Sequence, residues 1–156
     1  MTNLRALLPL FITASILLAG NGLQGTFIAL RAIDEGFPAS QVGLMGAAYF
    51  IGFLFACISV PHLVRAVGHI RVFAALAAVV SAATLGLMLL PDPYVWVVLR
   101  MASGFCFSGL FTVIESWLNQ SAGNDDRGRV LSIYRMVDLV SVTGAQLLLP
   151  VLGIGG

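Results

Sequence analysis

The chain has 156 residues, 59% hydrophobic and only 10% charged, with a net charge of +1 and a mean hydropathy of +0.99. A soluble domain carries roughly a quarter charged residues, so a water-soluble globule is excluded. The near-neutral balance gives no basic stripe for nucleic acid, and Cys57 and Cys106, both inside apolar runs, make no disulfide framework.

Five apolar segments follow one another, at residues 7–30, 41–64, 72–90, 94–118 and 130–152. Each suffices for the roughly 20 helical residues that cross a hydrocarbon core of about 30 Å. The expected fold is therefore all-α, a polytopic transmembrane helix bundle in one domain. The first segment is too long for the apolar part of a leader, so a retained helix is expected. Within it Asn21 and Gln24 stand three residues apart and share a face. They are candidates for lining a solute path, or for bonding a neighbouring helix. Gly20, Gly22 and Gly25 would let backbones approach closely.

Phe37-Pro38-Ala39-Ser40 breaks the chain and offers Ser40 as an N-cap for the second segment. Tyr49 in that segment, and Gln146 in the fifth, are lesser polar candidates. Pro91-Asp92-Pro93 reads as a tight third connection. Asp125-Asp126 places carboxylates where the dipole of the fifth helix favours them.

The fourth segment carries Arg100, followed by Ser103, Gly104, Ser108 and Gly109. Arg100 lies roughly 9 Å below the outer boundary, within reach of snorkelling outward. The small residues after it clear space on the other side, so it is expected to face a central cavity, where a guanidinium offers five fixed donors. Glu115, Arg135 and Asp138 form the second constellation. Glu115 sits roughly 5 Å before the end of its span and Arg135 roughly 8 Å into the next, so both reach one depth. Asp138 shares the face of Arg135. Two acids against one base leave a carboxylate able to carry a coupling proton, or else build a structural ion-pair network.

Orientation follows from the arginines, which make up all eight basic residues. Arg5, Arg65, Arg71, Arg127 and Arg129 lie at the N-terminus or in the second and fourth connections, and only Arg31 in the first. Positive charge marks the cytoplasmic side, so the N-terminus is expected there. His62 and His69 lie in a loop without companion ligands, so no metal site and no cofactor are expected. Ala102-Ser103-Gly104 faintly resembles the nucleophile motif of rhomboid proteases. Met101 replaces its first Gly and no His follows His69, so the serine has no base and no enzyme is expected. A mere scaffold would gain little from charges costing about 2.5–3.5 kcal/mol each at a helix centre.

Three stretches resemble the major facilitator superfamily. "PHLVRAVGHIR", Pro61 to Arg71, is similar to its loop signature G-x-L-a-D-r-x-G-r-r. Leu63 and Gly68 match and Arg71 supplies a base, whereas Pro61, Arg65 and His69 depart from the pattern, Arg65 standing where the acid would be. "RMASG", Arg100 to Gly104, fits the fourth-helix R-x-x-x-G. "ESWLNQSAGNDDRGR", Glu115 to Arg129, is like the YcaD-like branch of bacterial facilitators. The resemblance implies alternating-access secondary transport of a small solute, ion-coupled and with a proton as the expected ion. It also implies two six-helix halves, each of inverted three-helix repeats. The chain would then be an N-terminal portion, with the sixth span and the C-terminal half as its missing partner. Its setting would be the lipid bilayer of a bacterial-type cytoplasmic membrane. The solute and proton pathway would use Asn21, Gln24, Arg100, Glu115, Arg135 and Asp138. The gating loops would hold Leu63, Arg65, Gly68 and Arg71, with Arg127, Gly128 and Arg129.

Overall fold

The computed structural model describes residues 4–90, 92–121 and 123–152. Five helices succeed one another: α1 Leu4–Asp34, α2 Ala39–Val67, α3 His69–Leu89, α4 Pro93–Ser121 and α5 Arg127–Val151. Most overrun the apolar segments by up to a turn, because polar flanks such as Asp34, Arg65 and His69 continue the helix into the expected connections. α1 through α4 are long and apolar enough to cross a membrane. α5 has 25 residues, about 37 Å of helix, but interrupts its apolar surface with Arg135, Asp138 and Gln146.

Glycine and proline set the helix ends. Gly36 adopts φ 78° and donates to the Ile33 carbonyl at 3.0 Å, while Phe37 N–H reaches Ala32 at 2.9 Å. That pair is a Schellman motif, closing the orphan carbonyls of α1. The N-cap of α2 is Pro38, not Ser40, which lies inside the first turn. The Pro38 carbonyl accepts the N–H groups of Gln41 and Val42 at 3.0 and 3.2 Å, and the fixed φ of proline suits that entry. Gly68 alone separates α2 from α3, with φ 93° and ψ 163°, a conformation that only glycine adopts without strain.

In the third connection Pro91 lies outside the described residues. Asp92 Oδ1 accepts the Tyr94 N–H at 2.9 Å and so caps α4. Asp126 occupies the N-cap position of α5 without a side-chain cap bond.

Side-chain distribution is that of a protein solvated by lipid. Leu8, Ile12 and Ile16 form an exposed stripe at spacing four on α1, and Phe50, Leu54 and Ile58 do so on α2. Apolar surface left open on this scale marks contact with a membrane. The buried residues recur at helical spacing, as Val72, Leu76, Val80, Ala83 and Leu87 do along α3.

The chain divides into two compact units. In the unit of residues 32–113, α2 and α4 run in the same direction, Tyr49 and Gly52 opposing Met101, Gly104 and Phe105, and Val60 opposing Gly109. α3 runs against α4, with Leu76 near Gly109 and Gly86 near Leu99. The other unit joins residues 1–31 to residues 114–156. There α4 and α5 are antiparallel, since Glu115 meets Arg135 and Asn119 meets Arg127.

Candidate functional site

Arg100 is 8% exposed, and its guanidinium carbon lies 4.4 Å from the centroid of the Tyr49 ring. Helix geometry explains the placement. A Cβ on Gly104 would strike the carbonyl of Tyr49, and one on Gly52 the carbonyl of Met101. The two backbones therefore touch, which brings the Tyr49 ring beside the α4 residue one turn before Gly104. Ser103, on the same α4 face as Arg100, is fully buried, and its Oγ has no hydrogen-bond partner among the described residues. A planar cation over an aromatic face, beside an unsatisfied hydroxyl, forms a polar spot between otherwise apolar helices. One turn further, Ser108 Oγ lies 3.6 Å from Cys57 Sγ.

In the other unit Arg135 approaches two carboxylates. Its guanidinium lies 4.0 Å from Glu115 Oε1 across the helix pair and 3.4 Å from Asp138 Oδ2 along its own helix. Arg135 is 69% exposed, Glu115 41% and Asp138 25%, by side chain. The Tyr134 ring, itself buried, lies 6.0 Å from the same guanidinium. Two acids thus share one base.

A third arrangement in that unit joins α1 to α5. Gln146 Nε2 donates to the Gly22 carbonyl at 3.2 Å, and Thr26 Oγ1 donates to Gln146 Oε1 at 3.2 Å. Thr26 Oγ1 also lies 3.3 Å from the Gly22 carbonyl, so one hydroxyl proton has two acceptors. Asn21 and Gln24 are half-buried in the same stretch of α1.

The expected loop residues fall at helix ends. Leu63, Arg65 and Arg71 are exposed around Gly68. Arg127, Gly128 and Arg129 are exposed at the start of α5, with Arg127 Nη2 donating to Asn119 O at 3.5 Å. Among the described residues no group of three His, Cys, Asp or Glu could hold a metal ion.

Sequence reasoning missed Gly52, Thr26 and Tyr134. Gly52 carried a readable signal, because Ala48, Gly52 and Ala56 repeat a small residue every four positions, a spacing that lets helices touch. Thr26 carried none, since its partner lies 120 residues away. Conversely, Gly20 and Gly25 were expected to permit close packing, yet each has open space where a Cβ would stand. Only Gly22 in that group faces another helix, at ordinary contact distance from Gln146 and Val142.

Comparison with known proteins agrees with this architecture. The family model of the Major Facilitator Superfamily matches residues 10–155. The chain is 31% identical over 123 residues to the MFS-type transporter YcaD of Escherichia fergusonii, covering 79% of this chain and 32% of that protein. It is 28% identical over 148 residues to an MFS-type transporter of Enterobacter sp. (strain 638), covering 95% and 39%. An MFS-type transporter of Yersinia pestis is 29% identical over 126 residues, covering 81% and 33%. The chain thus spans about a third of the length of these relatives. No solved structure matches it. An all-helical chain with four apolar crossing helices, matched over nearly its whole length, belongs to the major facilitator superfamily.

Proposed function

We propose that the chain serves secondary active transport of a small solute by alternating access, coupled to a proton, with α5 as a fifth crossing and the N-terminus in the cytoplasm. The observation that carries the coupling is the Arg135 group. A single guanidinium lies within 4.0 Å of Glu115 and 3.4 Å of Asp138, so with both acids ionised the group holds one net negative charge. In a setting of low dielectric such a charge is costly unless a proton or a cation neutralises it. Gain and loss of that proton would then accompany the rearrangement of the helices that hold it. Arg100 supplies the complementary element, a buried guanidinium whose planar fork can hold a carboxylate or another acceptor on a solute. Asn21 and Gln24 add neutral hydrogen-bonding groups, and the helix ends at Gly68 and Gly128 are the gating points of the spans.

The test is proton movement in proteoliposomes of the full-length protein, followed with an entrapped pH-sensitive dye. A panel of sugars, amino acids, organic acids and nucleosides is added in turn. At least one class should move protons, and Glu115→Gln or Asp138→Asn should abolish that signal. A solute accumulated without any proton movement would overturn the coupling, and silence across the panel would overturn the transport reading.

A further inference from the structure

The α2–α3 hairpin carries positive charge that no acidic residue of its own balances. No Asp or Glu occurs between Glu35 and Asp92, and the only arginines in that interval are Arg65 and Arg71. Both are exposed, and neither has an ion-pair or hydrogen-bond partner among the described residues. Gly68 turns the chain in a single residue, so Arg65 in the last turn of α2 and Arg71 in the first turn of α3 stay at one end of the hairpin. His62 and His69 lie in the same stretch, His62 with its Nδ1 2.8 Å from the Ile58 carbonyl. The first turn of α3 has no acidic side chain and no side-chain cap, so the helix dipole there adds positive potential to that of Arg71. Apolar side chains flank the charges: Leu63 is 43%, Val67 47% and Ile70 70% exposed.

We propose that this hairpin is a docking surface for an anionic phospholipid, its phosphate bound by Arg65 and Arg71 and its acyl chains lying against Leu63, Val67 and Ile70. Two features select a lipid over a soluble anion or an acidic protein segment. The arginines stand at the ends of two membrane-crossing helices, the depth at which headgroups lie. The exposed apolar residues between and beside them fit acyl chain and would gain nothing from a free phosphate. The other arginine pair, Arg127 and Arg129, is different, because Asp125 and Asp126 precede it directly. The proposal does not rest on the transport reading, and its test needs no solute.

The full-length protein is reconstituted in phosphatidylethanolamine containing a minor share of phosphatidylglycerol, then released into detergent, and the retained lipids are quantified by native mass spectrometry. Wild type should retain phosphatidylglycerol in preference to phosphatidylethanolamine. Each arginine near an anionic surface is worth a factor of about five, so Arg65→Gln with Arg71→Gln should cut retention about 25-fold. Arg127→Gln with Arg129→Gln should change it less than about twofold, their charge already being balanced. Both pairs are exposed, and monodisperse elution confirms that each variant folds. Unchanged retention in the first variant, or equal loss in both, overturns the assignment. So does displacement of the lipid by inorganic phosphate, which would mark a site for a soluble anion.

Discussion

Arg100 and Tyr49 form a contact whose worth depends on what surrounds it. A guanidinium over an aromatic face contributes about 0.5–1 kcal/mol when exposed and about 2 kcal/mol or more when desolvated. At 8% exposure Arg100 belongs with the latter. Lysine keeps the charge but loses the planar stack and the bidentate fork. Arg100→Lys should therefore insert and fold, with a small drop in thermal midpoint, yet lose most uptake of whichever solute the panel identifies. Normal uptake by that variant would reduce Arg100 to a structural group. Arg100 was legible in the sequence, because a lone arginine in an apolar run calls for explanation. Its stacking on Tyr49 was not, since that contact spans 51 positions and depends on the rotational register of two helices. Gly68 is the other residue whose backbone decides its identity. At φ 93° and ψ 163°, Gly68→Ala should destabilise the protein by about 1–3 kcal/mol. Thermal unfolding in detergent measures it, and an unchanged midpoint would mean the hairpin relaxes to another turn.

At the scale of helix pairs, the contact of α2 with α4 is made by glycines facing backbone. Such packing has no flexible side chain that could yield. Gly104→Ala and Gly52→Ala must push carbonyls apart, and overpacking of this kind costs about 1–3 kcal/mol or more. Gly20→Ala has open space around it and should be neutral or slightly stabilising, because alanine favours helix by about 1 kcal/mol over glycine. Comparing the three by thermal unfolding separates packing from propensity. A loss in Gly20→Ala as large as in Gly104→Ala would defeat the packing account. The existence and approximate bounds of all five helices could be read from apolar run length. Which glycines make contact could not, because composition does not distinguish a face turned to lipid from one turned to protein.

The pair of α4 and α5 is tied more loosely. Glu115 and Arg135 are 4.0 Å apart, at the outer limit of an ion pair, so their coupling is about 0.2–1 kcal/mol where water screens them and larger in the low dielectric of a crossing helix pair. A double-mutant cycle with Glu115→Gln and Arg135→Gln reads it directly. Strictly additive losses would show that the two side chains do not meet in solution. Their meeting was anticipated from depth alone. Counting from the ends of α4 and α5, Glu115 and Arg135 lie roughly 9 and 12 Å inside. That is a difference which long side chains bridge.

For the molecule as a whole, chain direction is the quantity that sequence and contacts address by separate routes. The arginine distribution predicts a cytoplasmic N-terminus, with α1, α3 and α5 running outward and α2 and α4 inward. Contacts within each unit alternate in the same way, α2 beside α4 in parallel, α3 against α4 and α4 against α5. The meeting of α1 with α5 adds a check on depth. Gly22 and Gln146, bonded at 3.2 Å, lie roughly 27 and 29 Å from the starts of their helices. Two helices entering from one side would meet at such matched depths, whereas opposed helices of these lengths would pair a deep residue with a shallow one. Such matched depths are what the proposed fifth crossing requires of α5, which is less apolar than the other four helices. Reporter fusions make the orientation testable. A fusion after Asp92 should be active only with a reporter that works outside the cytoplasm, and a fusion within Asp125–Arg129 only with a cytoplasmic one. Inverted activities would overturn the orientation. A reporter placed after Gly144, near the far end of α5, should switch sides relative to one at Arg129. If both give the cytoplasmic signal, α5 does not cross, and the Arg135 group would lie at the membrane surface, where its charges need no proton for balance.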